Sequence, residues 1–122
     1  MKFNFAGDVP LFQQVADEIS EGIFNGSYPE ESQVPSTTEI SKTYKINPAT
    51  VLKGMNLLVE QELIEKRRGL GMFVLPGAQK KALQSRKDKF INHDLKFMFE
   101  EAKKLEISQE QLMKLIERGY EG

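Results

Sequence analysis

The chain has no cysteine and a single histidine, His93. Without thiols there is no disulfide framework and no thiolate metal site, and no side-chain nucleophile has an evident base partner. No stretch approaches the roughly 18 consecutive apolar residues that span a bilayer. Met1 to Pro10 lacks the basic n-region and apolar h-region of an export signal, so the expectation is a cytoplasmic protein with no membrane partner. Internal repeats and low-complexity segments are also missing. What remains is 122 residues, 39% hydrophobic and 29% charged, enough for one small globular domain with an appendage and too few for a deep private substrate cavity. No cofactor and no metal is implied. His93 reads as a surface or packing residue, and Glu30-Glu31 and Glu100-Glu101 read as solvated pairs, because adjacent carboxylates on a helix diverge by about 100°. An enzyme is not expected.

Net charge is −1, which argues against a nucleic-acid partner until its distribution is considered. Residues 1–40 carry one basic and seven acidic side chains, residues 41–92 carry eleven and four, and residues 93–122 carry five and seven. The positive charge is central. A charge run alone is as well explained by a solvated face, so its meaning depends on the elements it falls on.

Leu11, Val15, Ile19 and Ile23 recur at i+4 spacing, with Phe12 and Ala16 widening the stripe and Gly26 at the C-cap position; this predicts a helix over about 11–25. Turn formers follow at Asn25 to Pro29. Ser36 and Glu39 then have capping-box spacing for a short helix ending near Tyr44. Asn47-Pro48 supplies an N-cap and a first-position proline for a third helix running to about Gln61. Val51, Met55 and Leu58 should face the core, with Thr50, Lys53, Gly54 and Leu57 on the outer side. Leu63 to Lys66 and Met72 to Leu75 read as two short strands around Arg67-Arg68-Gly69-Leu70-Gly71. Pro76-Gly77 is the expected domain boundary. Beyond it, Ile91, Leu95, Met98, Ala102 and Leu105 repeat as a heptad seam, and Ser108 with Gln111 caps a last helix bearing Leu112, Leu115 and Ile116. The expected fold is mainly α with a small β wing: a winged helix-turn-helix over residues 1–75, a DNA-binding domain, then a helical hairpin over residues 76–122, a dimerisation region.

Pro10-Leu-Phe-Gln-Gln-Val, Val34-Pro-Ser with Glu39-Ile, Ile46-Asn-Pro-Ala-Thr-Val and Leu63-Ile-Glu-Lys-Arg-Arg-Gly-Leu-Gly-Met-Phe-Val occur in that order. Over about residues 10–75 they resemble the GntR family of bacterial transcription regulators, and the short helical tail resembles its YtrA branch. The resemblance implies a homodimeric repressor on a two-fold operator, often of a transporter operon, with the C-terminal helices pairing subunits. Three departures bear on the operator: Thr38 stands where many relatives have Arg, Pro48 and Leu52 where some branches have Arg, and Gly54 where Ala is common. Asn-Pro before the third helix and a base at Lys53 match the YtrA pattern.

Double-stranded DNA is thus the leading partner, and the candidate contacts divide into positioning and reading. For positioning the candidates are Lys42, Lys45, Lys66 and Arg67, some of them merely solvated, with Ser36, Thr37 and Thr38 at the second helix's N-terminus, where the dipole favours a phosphate. Asn47 belongs with them as the cap of the third helix. For reading the candidates are Ala49, Thr50 and Lys53 in the major groove, with Thr50 alternatively on phosphate. Arg68 and Gly69 suit a minor groove, or form an ordinary hairpin turn. Phe90, Ile91, Leu95, Met98, Ala102, Leu105, Leu112 and Leu115 are the candidate homodimer contacts; the aromatic concentration around Phe90, Phe97, Met98 and Phe99 suits an interface better than a ligand pocket. The sequence names no small-molecule effector. The competing reading is a winged-helix protein-interaction module that never reads bases.

Overall fold

The computed structural model describes Met1–Gly122, and its chain forms two compact units, Met1–Gln84 and Ser85–Gly122. In the first, α1 (Leu11–Phe24), α2 (Thr37–Tyr44) and α3 (Pro48–Glu60) precede an antiparallel pair, β1 (Ile64–Arg67) and β2 (Gly71–Val74). One core joins them: Val15, Ile19 and Ile23 from α1, Ile40 from α2, Val51, Met55 and Leu58 from α3, and Ile64 and Val74 from the strands. Each such side chain contributes about 1.5–3 kcal/mol when fully buried. That matters most for α2, because an eight-residue helix does not persist alone in water. Its ends are held locally as well. The Ser36 hydroxyl accepts the Glu39 N–H at 3.0 Å while the Glu39 carboxylate accepts the Ser36 N–H, the expected capping box.

Two elements differ from expectation. The sheet pair does not stand alone, because Glu31–Val34 lies antiparallel to β2: the Glu31 N–H donates to the Val74 carbonyl at 2.8 Å and the Val34 N–H to the Met72 carbonyl at 2.9 Å. And the first unit does not end at Pro76-Gly77. It continues into α4 (Ala78–Lys89), whose Ala78 and Ala82 join the core. The sequence shows no apolar stripe there since two alanines are all that this packing needs. The helix start is tied down further by the Gly77 N–H to the Glu30 carboxylate and by Gln79 Nε2 to the Phe24 carbonyl.

The second unit contains a π-helical turn (Phe90–Asp94), α5 (Leu95–Lys104) and α6 (Gln109–Glu121). The Leu95 N–H donates to the Phe90 carbonyl, a five-residue span. The heptad seam assumed uniform α-helical turning, and the π turn interrupts it between Ile91 and Leu95. Leu105, its last member, lies past the end of α5 and is 70% exposed. The reversal from α5 to α6 is a Schellman motif: the Ile107 N–H donates to the Ala102 carbonyl, the Glu106 N–H to the Lys103 carbonyl, and Glu106 adopts a left-handed φ of 59°. Ser108 and Gln111 then form the expected capping box. The same C-terminal motif closes α3, with Glu62 at φ 58°, and Lys45 after α2 is left-handed at φ 55°.

The backbones of α1 and α3 approach closely at Gly54. A Cβ on Gly54 would sit 2.6 Å from the Phe12 carbonyl oxygen and 3.0 Å from Val15 Cβ. Backbone on one side and a fully buried valine on the other leave no room to yield. Gly54→Ala should therefore lose stability despite the gain of about 1 kcal/mol in helix propensity, because overpacking costs about 1–3 kcal/mol. A thermal midpoint lowered by several degrees is expected, and an unchanged or raised midpoint would show that the two helices can separate freely.

Stability should also depend on alkaline pH. Burial, then the neighbouring Tyr44 and Glu18, raise the Tyr28 phenol above its ordinary 10.0. The fold favours the neutral phenol, so this contribution is complete below pH 10.0 and is lost as pH rises through the higher folded value. Denaturation midpoints followed across that range should fall less steeply for Tyr28→Phe than for the native chain; parallel curves would remove Tyr28 as the cause.

Candidate nucleic-acid interface

All thirteen sequence-nominated contact residues lie in the first unit, from the N-cap of α2 to the hairpin turn. Asn47 ends the short connection between α2 and α3, and its side chain accepts the Ala49 N–H at 2.8 Å. With Pro48 at the first position, this fixes where the third helix starts. Behind it, Ile46 is buried and its carbonyl accepts the Ser41 hydroxyl at 2.7 Å. The turn between the two helices is thus held from both sides, as the presentation of α3 requires.

The outward face of α3 is rotated from the expected one. Ala49, Leu52, Lys53, Asn56 and Glu60 are exposed, at helical i, i+3, i+4, i+7 spacing and beyond. Thr50 is half-buried, Gly54 is buried, and Leu57 packs against the core. The cause is that α3 packs against three elements, α1, α2 and β1, so its buried arc is wider than the single stripe of Val51, Met55 and Leu58 suggests. Lys53 remains on the open face, and the structure brings it together with Ala49, Asn56 and Phe12 around a shallow depression of about 410 Å³. The Lys53 ammonium lies 4.1 Å from the centre of the Phe12 ring. Asn56 and Phe12 were not singled out from the sequence as contacts. Asn56 was findable at three positions after Lys53; Phe12 was hidden in the apolar stripe of α1.

At the start of α2, Ser36 and Thr37 are half-buried and Thr38 is exposed. The capping box puts the carboxylate of Glu39 at that helix end, so an arriving phosphate meets a negative charge beside the N–H groups. Lys42 and Lys45 are exposed at the other end of the helix.

In the hairpin, the Leu70 N–H donates to the Arg67 carbonyl at 2.9 Å and Gly69 has a φ of 77°. A positive φ at the third position is the type II arrangement, which favours glycine. Arg68 and Gly69 are exposed at the tip. Gln33, a residue the sequence reading did not use, steadies that tip from the neighbouring segment by donating to the Leu70 carbonyl at 2.8 Å. Lys66 is exposed on β1. Arg67, read as a loop residue, is part of β1 and is already engaged: its guanidinium bonds Glu65 at 3.0 Å and Glu31 at 3.2 Å and lies 4.4 Å from the centre of the Phe73 ring. The bond to Glu65, ahead of that to Glu31, raises its pKa above the ordinary guanidinium value. Its position clamps the base of the wing, which leaves Arg68 as the more available arginine.

The remaining candidates lie in the second unit. Phe90, Ile91, Leu105 and Leu115 are exposed, Leu95, Met98 and Leu112 are half-buried, and Ala102 is buried. An apolar groove of about 470 Å³ runs between α5 and α6, with Phe99, Ala102, Leu112 and Ile116 in its lining. His93 is exposed in the π-helical turn. The paired glutamates serve structural roles: Glu31 pairs with Arg67, and Glu101 with Lys104 at 3.3 Å. No helix is long and apolar enough to cross a membrane.

Residues 11–74 match the bacterial regulatory proteins of the gntR family. The chain is 25% identical over 122 residues to the uncharacterized HTH-type transcriptional regulator YhcF of Bacillus subtilis (strain 168), covering 100% of this chain and 99% of that protein. Three further curated relatives are longer, and the chain spans 14%, 28% and 35% of their lengths. Among solved structures, a GntR-family protein from Bacteroides thetaiotaomicron superposes with a TM-score of 0.75 at 31% identity, over 90% of this chain and 96% of that one. The DNA-binding domain of AraR, in complex with operator ORR3, superposes with a TM-score of 0.54 at 27% identity, over 61% and 89%.

The capping role of Asn47 is testable without any ligand. Asn47→Ala should lower the unfolding free energy by about 0.5–2 kcal/mol, and Asn47→Asp, which keeps the acceptor, should recover most of it. Equal losses in the two variants, measured by denaturant titration, would mean that the Ala49 N–H does not depend on this side chain.

Proposed function

This chain belongs to the gntR family of bacterial regulatory proteins, and from that premise we propose that it is a homodimeric repressor that reads a two-fold symmetric operator through α3. The observation that carries the reading is the open face of α3: Ala49, Lys53 and Asn56 stand together on the second helix of a helix-turn-helix, inside the segment that matches the family. In a major groove, Lys53 donates to guanine, Asn56 suits adenine, and the Ala49 methyl meets thymine. Arg68 at the exposed tip of the wing takes the minor groove or backbone. Lys42, Lys45 and Lys66 add the sequence-independent attraction to phosphate. Among the nominated side chains, Ser36, Asn47 and Arg67 support this surface chiefly by holding the elements in place.

The second unit supplies the dimer. Phe90, Ile91, Phe97, Phe99 and Leu115 are large apolar side chains each about half exposed or more, a surface that a second copy would cover. Two recognition helices would then read half-sites about one helical turn, roughly 34 Å, apart. With its short helical tail and its Asn47-Pro48 and Lys53 pattern, the chain is assigned to the YtrA branch, with a transporter operon as the expected target and the cytoplasm as its location. It is a regulator and carries out no turnover.

The test is selection of sites from random double-stranded DNA at about 150 mM salt, where non-specific attraction is weak. A two-fold symmetric sequence is expected. Lys53→Ala should then weaken binding at one base pair of each half-site by about 1–3 kcal/mol, and Arg68→Ala should reduce the salt slope by about one. No enrichment by a folded dimer would overturn the reading and favour a protein-interaction module.

A further inference from the structure

The ring of Phe12 belongs to α1, yet it opens onto the face of α3 that carries Ala49, Lys53 and Asn56. It is half-buried, so one part packs and another is left as a surface. The Lys53 ammonium lies 4.1 Å from its centre, within the range in which a cation is attracted to the negative face of an aromatic ring. This contact exists because α1 and α3 approach so closely: Gly54, next to Lys53, has no Cβ to push the Phe12 backbone away. The neighbouring positions 53 and 54 therefore act on the same residue of α1, one by its absence of a side chain and one by its charge.

We propose that Phe12 is a positioning residue for base recognition, its ring holding the Lys53 ammonium at one place on the reading face of α3. This deepens the DNA-reading function above and rests on it. A free lysine side chain has four rotatable bonds, and immobilising it on a base edge costs conformational entropy. A ring that already gathers the ammonium near Ala49 lowers that cost before DNA arrives. The effect belongs to discrimination at the base pair that Lys53 meets, because the attraction of Lys53 to phosphates elsewhere needs no fixed position.

The test uses the full chain with Phe12→Leu, which keeps apolar packing and removes the ring, and Phe12→Tyr, which keeps the ring. Thermal midpoints establish that each variant is folded. In the free protein, the side-chain ε-methylene NMR signals of Lys53, assigned through Lys53→Arg, should be shifted upfield by the ring in the native chain and in Phe12→Tyr, and return to the range of the other lysines in Phe12→Leu. With the selected operator, Phe12→Leu should lose about two- to fivefold of the preference at the base pair that Lys53→Ala also affects, and keep the preferences at other positions; Phe12→Tyr should retain all of them. Lys53 signals indistinguishable from the other lysines in the native chain would overturn the inference. So would a uniform loss of affinity in Phe12→Leu with the Lys53-dependent preference intact, since that is what mere packing produces. If the native chain enriches no sequence at all, the DNA-reading function has failed and the inference falls with it, a result distinct from either of those.

Discussion

The approach of α1 to α3 at Gly54 is the constraint on which the rest of the first unit depends. Two helices whose backbones meet this closely have little freedom to slide or rotate, so α3 is fixed about its own axis. That rotation decides which of its residues are open and which are buried. It sets Val51, Met55 and Leu58 into the core, turns Ala49, Lys53 and Asn56 outward, and brings an aromatic ring from α1 into the same surface. The short α2 contributes little of this by itself. Its single buried residue, Ile40, and its capping box let it follow α3, and the left-handed Lys45 makes the reversal between them tight.

A second organising feature is the division of labour among charges. The total is slightly negative, yet several acids are committed to internal tasks: Glu31 and Glu65 hold Arg67, Glu62 pairs with Lys81 at 3.1 Å, Glu30 accepts from the start of α4, and Glu39 completes a cap. Lys42, Lys45, Lys66 and Arg68 take part in no such pair. A chain near neutrality can in this way keep a locally positive surface, which is the property that governs attraction to a polyanion. Net charge was therefore a poor guide, and charge by segment a better one.

Much of the architecture was legible from local chemistry. Ser36 with Glu39, Ser108 with Gln111, and Asn47-Pro48 mark three helix starts because capping uses groups within three residues of each other. Gly69 marked the wing for the same reason. The features that escaped depend on distance or on a change of period. Arg67 looked like a loop cation because its partner Glu31 lies far away in the chain. Gly54 looked exposed because a single-stripe periodicity describes a helix with one neighbour and α3 has three. The π-helical turn changes the residues-per-turn on which the heptad reading relied, and α4 needs too few apolar residues to produce a pattern. For the candidate site, Lys53, Ala49 and Arg68 were readable from position within the motif. Phe12 was not, since its apolar character signals only burial.

The left-handed residues have a consequence of another kind. Glu31, Lys45, Glu62 and Glu106 all adopt positive φ, a conformation that costs a residue with a Cβ about 1 kcal/mol or more and that glycine adopts without penalty. Each sits where the chain reverses, so the topology demands the conformation and the side chain resists it. The fold consequently stands below the stability that its own backbone would permit. Glu31 and Glu62 also hold Arg67 and Lys81, and Lys45 belongs to the positive surface, so the reversal at Glu106 is the one where exchange for glycine gains heat resistance without touching the wing or the open face of α3.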